Sequence, residues 1–280
     1  MGGDFRDMSR ILHVCAGWEP TNGAASIARL FAAEQRARGD ETKLATWVSP
    51  GDVRRADEVW IHCGWLPCLW WATLCAALCG KRQVRVPEAC YDPVRLAYHG
   101  WKKCLVRPIE RWCLRRAAAV VATCAEEVNW VRRYEPKAAV EIADIKKFFP
   151  LPEKTPERPG KIRRLLYLGR RHPLKGLAFL ERAVEGLGVE LRIESSLDER
   201  GKDAAFEWCD ALVLPTLSDN FGVVVAEALV HGRHAIVTDG AGAWRGQAGV
   251  TFVEGFRDAA DEERVALLRR AIAGEAGGVQ

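Results

Sequence analysis

The sequence predicts an α/β protein made of two doubly wound parallel-sheet domains. Apolar runs of strand length recur with helix-like segments between them, which is the pattern of strands buried on both faces of a parallel sheet. A chain of 280 residues exceeds one ordinary domain. A hydrophilic stretch bearing prolines, residues 150–159, divides the pattern, which then restarts. These three observations place a first domain at residues 1–152 and a second at 160–280.

Residues 10–16 read as an apolar strand running into Gly17-Trp18-Glu19-Pro20-Thr21-Asn22-Gly23, then a helix over about 24–38 closed by Gly39. Further strands are expected at 43–48, 58–62, 83–86 and 118–123, with helical segments alternating. The segment 64–80 is uncharged and rich in tryptophan (Trp65, Trp70, Trp71), a borderline length for a membrane span. Because it directly follows a strand, a buried or half-buried helix of an α/β unit is the preferred reading. Residues 98–116 place Trp101, Leu105, Ile109 and Trp112 on one side, with Arg107, Arg111 and Arg115 recurring every four residues. Two readings stand: a basic amphipathic helix resting on an anionic membrane, or, preferred, a surface helix whose apolar stripe is buried. Pro108 argues against one continuous helix.

The second half opens with a strand at 164–168, followed by a helix over 176–185 and a strand at 190–194. Residues 210–240 read as strand, loop, helix and strand, and a last helix over 258–273 precedes a glycine-rich tail.

Composition narrows the function classes. Net charge is +4, but residues 1–150 carry 23 basic and 17 acidic side chains, leaving 18 and 20 for the remainder. The basic first half either meets an anionic partner, such as a membrane surface or lipid-linked acceptor, or carries ordinary solvated faces. Nucleic acid is not the expected partner. Ten cysteines lack C-x-x-C spacing, and several (Cys63, Cys68, Cys75, Cys79, Cys113) lie in apolar stretches, so they read as buried thiols of a reducing cytosol. The segment 1–7 lacks the apolar core of a signal peptide, which points to a cytoplasmic protein, with the inner face of the membrane as a candidate docking place. His13, His62, His99, His231 and His234 have no zinc spacing, and no Asp-x-Asp metal motif occurs.

Candidate chemistry concentrates on two strand-to-helix turns. Leu168-Gly169-Arg170-Arg171-His172-Pro173-Leu174-Lys175-Gly176 sets Arg170 and Lys175 where cations suit a diphosphate, although surface Arg/Lys pairs are common. His172 between them reads as a structural or solvent-facing histidine. Ser218-Asp219-Asn220-Phe221-Gly222 followed by Glu227 puts two acids eight residues apart, and burying both would be unusual. Glu227 is suited to accepting two ribose hydroxyls, or is simply a helix glutamate favoured by the macrodipole. The Asn220-Phe221-Gly222 turn can present backbone N–H groups to a phosphate or sugar.

The order of Gly169-Arg170, Lys175-Gly176, Asp210-Ala211, Leu214-Pro215, Ser218-Asp219-Asn220-Phe221-Gly222, Glu227-Ala228-Leu229 and Gly232 resembles family-four retaining glycosyltransferases of the GT-B fold. The resemblance covers roughly residues 165–245. It implies two Rossmann-like domains facing a cleft and a nucleotide-diphosphate sugar, UDP-linked first and GDP-linked second, held mainly by the C-terminal domain. It assigns Arg170 and Lys175 to the diphosphate, Glu227 to the ribose and Asp219 to the sugar hydroxyls. Gly17, Asn22 and Gly23 would approach the donor phosphates from the other domain. No cofactor or metal is implied, the nucleotide sugar being a substrate. The acceptor would be a glycan or lipid-linked molecule of surface polysaccharide or lipopolysaccharide assembly.

The chain departs from the family pattern in places. Asp219 is one methylene shorter than the glutamate expected there, and Glu88 stands where a histidine often falls. Glu88 is either a group near the acceptor or a plain loop residue. The usual inter-domain Pro-Asn-Gly is missing from residues 142–146. A catalytically degenerate sugar-nucleotide-binding or scaffold protein is the main rival reading. A nicotinamide oxidoreductase fails because Gly17 and Gly23 are too far apart for G-x-G-x-x-G.

Overall fold

The computed structural model describes residues 8–19, 22–98 and 100–275. Residues 1–7, Pro20, Thr21, His99 and the end of the glycine-rich tail lie outside the described residues, and with them the expectations for the N-terminal segment, the His99 side chain and the tail. The chain forms two compact units, Met1–Ala143 and Asp144–Gln280.

The first unit runs β1 (Arg10–Val14), α1 (Gly23–Ala37), β2 (Glu41–Ala45), α2 (Pro50–Arg55), β3 (Glu58–His62), α3 (Pro67–Leu78), β4 (Arg82–Val86), α4 (Pro93–Ala97), α5 (Gly100–Arg116), β5 (Ala119–Ala122), α6 (Ala125–Tyr134) and β6 (Val140–Ile142). The sheet is parallel in the order β2-β1-β3-β4-β5-β6. Its strand order reverses between β1 and β3, which makes the loops after those two strands the natural ligand crevice of this unit.

The second unit runs β7 (Arg164–Leu168), α7 (Leu177–Val184), β8 (Glu190–Glu194), α8 (Glu199–Trp208), β9 (Ala211–Leu214), α9 (Val223–Val230), β10 (His234–Thr238), β11 (Val250–Val253) and α10 (Asp261–Ala273). Its parallel sheet has the order β11-β10-β9-β7-β8, reversing between β7 and β9. Leu165, Tyr167, Val213 and Ile236 from the strands pack with Leu180, Leu268 and Ile272 from α7 and α10 to form its core. Residues 144–152 pack with this unit, where Phe149 stacks on Phe221.

Local physics explains where sequence expectation and structure differ. Strand β2 begins at Glu41, two residues before the expected start, because its parallel register with β1 runs from Arg10↔Glu41 to Val14↔Ala45. Val48 instead packs into the core, and Ser49 opens α2 with a reciprocal capping box to Asp52. Helix α5 is continuous through Pro108, contrary to expectation. Pro108 and Cys104, whose carbonyl loses its intrahelical donor, both lie on the exposed side of the helix, open to solvent rather than to the core. Helix α8, capped by Asp198 accepting from Gly201 N, and strand β11 were not anticipated.

The preferred reading of residues 98–116 is overturned. Trp101, Leu105 and Ile109 are 68%, 74% and 44% exposed, and the buried side of α5 is formed by Glu110, Cys113 and Leu114. The helix is turned this way by Glu110, which lies in the core and accepts from Arg85 (2.6 Å), Tyr91 Oη (2.6 Å), Trp70 Nε1 (2.6 Å) and Trp65 N (3.2 Å). A carboxylate with four donors to satisfy dominates the choice of face.

Candidate functional site

In the second unit, the loops after β7 and β9 meet at the point of strand reversal. Leu217 N (2.8 Å) and Thr216 Oγ1 (3.0 Å) both donate to the Leu174 carbonyl, which ties the two loops together. Gly176 makes this approach possible. Its φ is +65°, and a Cβ there would lie 1.8 Å from the Pro215 carbonyl oxygen. Gly240, in the loop after β10, has the same role, since a Cβ would lie 2.0 Å from the Thr216 carbonyl oxygen. Its own carbonyl accepts from Asp219 N at 2.7 Å.

This braced frame presents two cation–carboxylate pairs. Lys175 Nζ donates to Asp219 Oδ2, with both side chains 15% exposed. Lys202 Nζ, from α8, donates to Glu227 Oε1 on α9 at 2.8 Å, the two being 23% and 22% exposed. Burial works against the Lys202 charge, and the Glu227 carboxylate outweighs it, holding the ammonium above the usual lysine range. The two acids are thus half-buried and ion-paired rather than fully buried. Lys202 was not singled out in the sequence; the available signal was Asp198, an N-cap residue, followed by the periodic apolar residues Ala205 and Phe206.

Around them, Arg170 is exposed, while its carbonyl accepts from Tyr167 Oη at 3.0 Å. Burial first, and the nearby Asp219 carboxylate second, push Tyr167 up to about 12. Gly169 N donates to the Glu194 carbonyl (2.8 Å), which fixes the start of the turn. His172 caps the short turn at Pro173–Lys175, its Nδ1 accepting from Leu174 N (3.2 Å). Asn220 is buried, and its N–H donates to Asp219 Oδ1 (2.9 Å). Phe221 is core-packed between Phe149 and Trp244, and its carbonyl accepts from Trp244 Nε1. Gly222, at φ +67°, precedes α9, and a Cβ would strike Leu214 Cδ2 at 2.7 Å.

The first unit has a different strand edge. Asn22 caps α1 by accepting from Ala24 N (3.2 Å), and its Nδ2 donates to the Gly17 carbonyl (2.8 Å), which closes the loop. Gly23 is the first residue of α1 and has open space beyond its Cα. A Cβ on Gly17 would meet the Glu19 carboxylate at 2.4 Å.

Below this loop runs a buried chain of polar groups. His13 Nε2 donates to Gln35 Oε1 at 2.7 Å, leaving Nδ1 to accept from His62 Nε2 at 3.0 Å. The Glu88 carboxylate lies 3.7 Å from His62 Nδ1. Burial lowers His13 to about 4 and takes His62 well below its ordinary value, so both rings are neutral. Glu88 and Ala89 take left-handed φ values of 58° and 59°, as do Cys63 (75°) and Trp65 (67°). The buried Glu127 carboxylate holds the Glu88–Ala89 turn by accepting from Ala89 N (2.6 Å) and Thr123 N (2.8 Å). Non-glycine residues in this conformation mark functional strand ends more often than ordinary loops. Sequence reading missed the His13–His62 pair because the two residues are 49 positions apart and come together only through the β1–β3 pairing. It also missed the Sγ–Sγ approach of 3.1 Å between Cys63 and Cys90. Not every cysteine is buried: Cys63 and Cys79 are half-buried and Cys104 is exposed.

Two parallel α/β units with these strand orders define the GT-B fold of glycosyltransferases, and solved structures agree. Sucrose-phosphate synthase from Thermosynechococcus elongatus superposes with a TM-score of 0.68 at 13% identity, covering 96% of this chain and 90% of that one. Anabaena HepE in complex with UDP and glucose gives 0.63 at 11%, covering 96% and 94%. WaaG, a glycosyltransferase involved in lipopolysaccharide biosynthesis, gives 0.55 at 12%, covering 94% and 90%. Residues 10–142 match the family model described as a glycosyl transferase 4-like domain. No curated protein sequence matches the chain.

Proposed function

We propose that the protein is a retaining glycosyltransferase that moves a sugar from a nucleoside-diphosphate sugar, UDP-linked in preference to GDP-linked, to a glycan or lipid-linked acceptor in surface polysaccharide or lipopolysaccharide assembly. The observation that carries this reading is the pair of lysine–carboxylate contacts, Lys175–Asp219 and Lys202–Glu227, at the strand reversal of the second unit. Support also comes from two separate stretches of sequence. The family model covers the first unit, while the motif resemblance lies in residues 165–245 of the second. The UDP preference is supported by HepE in complex with UDP and glucose, and the polysaccharide context by WaaG.

In this mechanism Lys175 exchanges its contact with Asp219 for the donor diphosphate, and the exposed Arg170 adds a second cation. Together they stabilise the negative charge that grows as the glycosidic bond breaks. Asp219 then turns to hydroxyls of the donor sugar. Glu227, oriented by Lys202, accepts from the ribose hydroxyls. The departing phosphate takes the acceptor's proton in a front-face reaction, with no protein nucleophile and no metal required. Gly17, Asn22 and Gly23 are assigned to the donor phosphates, and Glu88 to the acceptor side.

The test is thermal stabilisation by UDP-, GDP-, ADP- and CMP-sugars on the wild type beside Glu227→Ala. A ligand that binds only the folded state raises the melting temperature. A selective rise that disappears in the variant is the expected result. No rise with any donor would overturn the reading in favour of a catalytically degenerate scaffold.

A further inference from the structure

The outward face of α5 and α3 is charged and apolar in a pattern that the catalytic reading does not use. On α5, Trp101, Leu105 and Ile109 follow one another every four residues, all exposed, with Trp112 half-exposed one turn further on. Helix α3 packs beside it and exposes Trp71 (40%), Leu74 (38%) and Leu78 (78%). These are large side chains, and monomeric proteins rarely leave so many of them uncovered on neighbouring helices.

The charges on α5 are one-sided. Of its 17 residues, six are Lys or Arg and one is acidic. That acid, Glu110, is fully buried and ion-paired to Arg85, so it offers no negative charge to the surface. Lys102 lies over the ring of Trp101, and Arg116 over that of Trp112, which places cations on the apolar stripe itself. Arg111 and Arg115 are otherwise engaged: Arg111 donates to the Tyr134 carbonyl (2.8 Å), and Arg115 to Glu135 (3.0 Å). Neighbouring α3 has no charged residue. No helix among the described residues is long and apolar enough to cross a membrane.

We infer that this face docks on an anionic lipid surface, the indole and leucine side chains entering the headgroup boundary and Lys102 and Arg116 meeting lipid phosphates. Tryptophan and lysine together suit that boundary, which is apolar on one side and anionic on the other. A protein partner matching this face would need an acidic rim around an apolar groove; a lipid surface presents both to any orientation of the helix. The inference deepens the proposed lipid-linked acceptor by naming where the membrane would lie. It rests on exposure and charge in the first unit and is tested without donor, so it can fail while the donor reading survives.

The experiment is co-sedimentation of the whole protein with phosphatidylcholine vesicles and with equimolar phosphatidylcholine/phosphatidylglycerol vesicles, at low and high salt. The wild type is expected to sediment with the anionic vesicles only, and less as salt rises. Trp101→Ser/Leu105→Ser and Lys102→Gln/Arg116→Gln should each weaken binding about tenfold or more, with circular dichroism unchanged because all four side chains lie outside the core. Equal binding to neutral vesicles, absence of binding, or binding insensitive to both double variants would overturn the inference. So would self-association, seen by light scattering and removed by Trp101→Ser/Leu105→Ser, which would assign the face to a second copy of the chain.

Discussion

The two sheets present their carboxyl edges in opposite physical states. In the first unit the edge is buried and overdetermined: neutral His13 and His62 in series, Glu88 beside them, and four non-glycine residues in left-handed backbone. In the second unit the edge is half-open and held by opposite charges that a ligand can exchange, Lys175 with Asp219 and Lys202 with Glu227. A charged substrate needs a site whose ions are already partly desolvated but still exchangeable, because fully buried pairs are costly to separate. The first edge is fixed by burial, whereas the second is held by ion pairs that the diphosphate of the proposed donor would replace.

The largest effect should come from breaking the buried charge network of the first unit. Glu110→Ala would leave the Arg85 guanidinium buried without its counter-charge and remove the acceptor of Tyr91 and Trp70. Loss of one partner of a buried pair costs about 3–5 kcal/mol. Urea unfolding should show this as a large drop in midpoint. A cost below about 1 kcal/mol would mean that the first edge is no more rigid than the second.

Acid should then separate the units next. The folded His13 pKa of about 4 lies below its ordinary value of 6.5. The unfolded chain therefore binds the proton more readily in that interval, so stability is full above pH 6.5 and is lost as pH falls toward 4. From the two values, the loss attributable to His13 is about 2 kcal/mol at pH 5. A stability profile flat between pH 7 and 5 would show that the imidazole pair is not buried and neutral.

The second edge was more readable in the sequence than the first. Strand β7 and the β9–α9–β10 unit were legible because continuous apolar runs bounded by glycine, proline and acid signals leave little ambiguity in a parallel sheet. The motif on the two strand-to-helix turns was legible because Gly169 to Gly176 and Ser218 to Glu227 are local in the chain, and their glycines meet steric demands visible at Gly176 and Gly222. Lys202 and the His13–His62 pair were not legible. Each meets its partner only through tertiary packing, across 25 and 49 residues, and no local spacing encodes that. The exposure of the α5 stripe was misread for a related reason. Periodicity identifies an apolar face, but the buried Glu110 network, assembled from β4, α3 and the turn at Tyr91, decides which way the helix turns.

The smallest effect sharpens the comparison most. Lys202→Ala removes one half-exposed ion pair, which should change stability by less than about 1 kcal/mol. If the lysine serves to orient Glu227 toward a ribose, UDP affinity should nevertheless fall by about 1 kcal/mol, roughly fivefold, from the loss of a positioned charged acceptor. Lys202→Arg, which keeps the charge and reaches the same carboxylate, should recover part of that loss. Calorimetric titration with UDP on the wild type and both variants distinguishes positioning from stability. Equal affinities would show that the Glu227 carboxylate holds its place without Lys202, and the exchangeable ion pair of the second edge would then be Lys175–Asp219 alone.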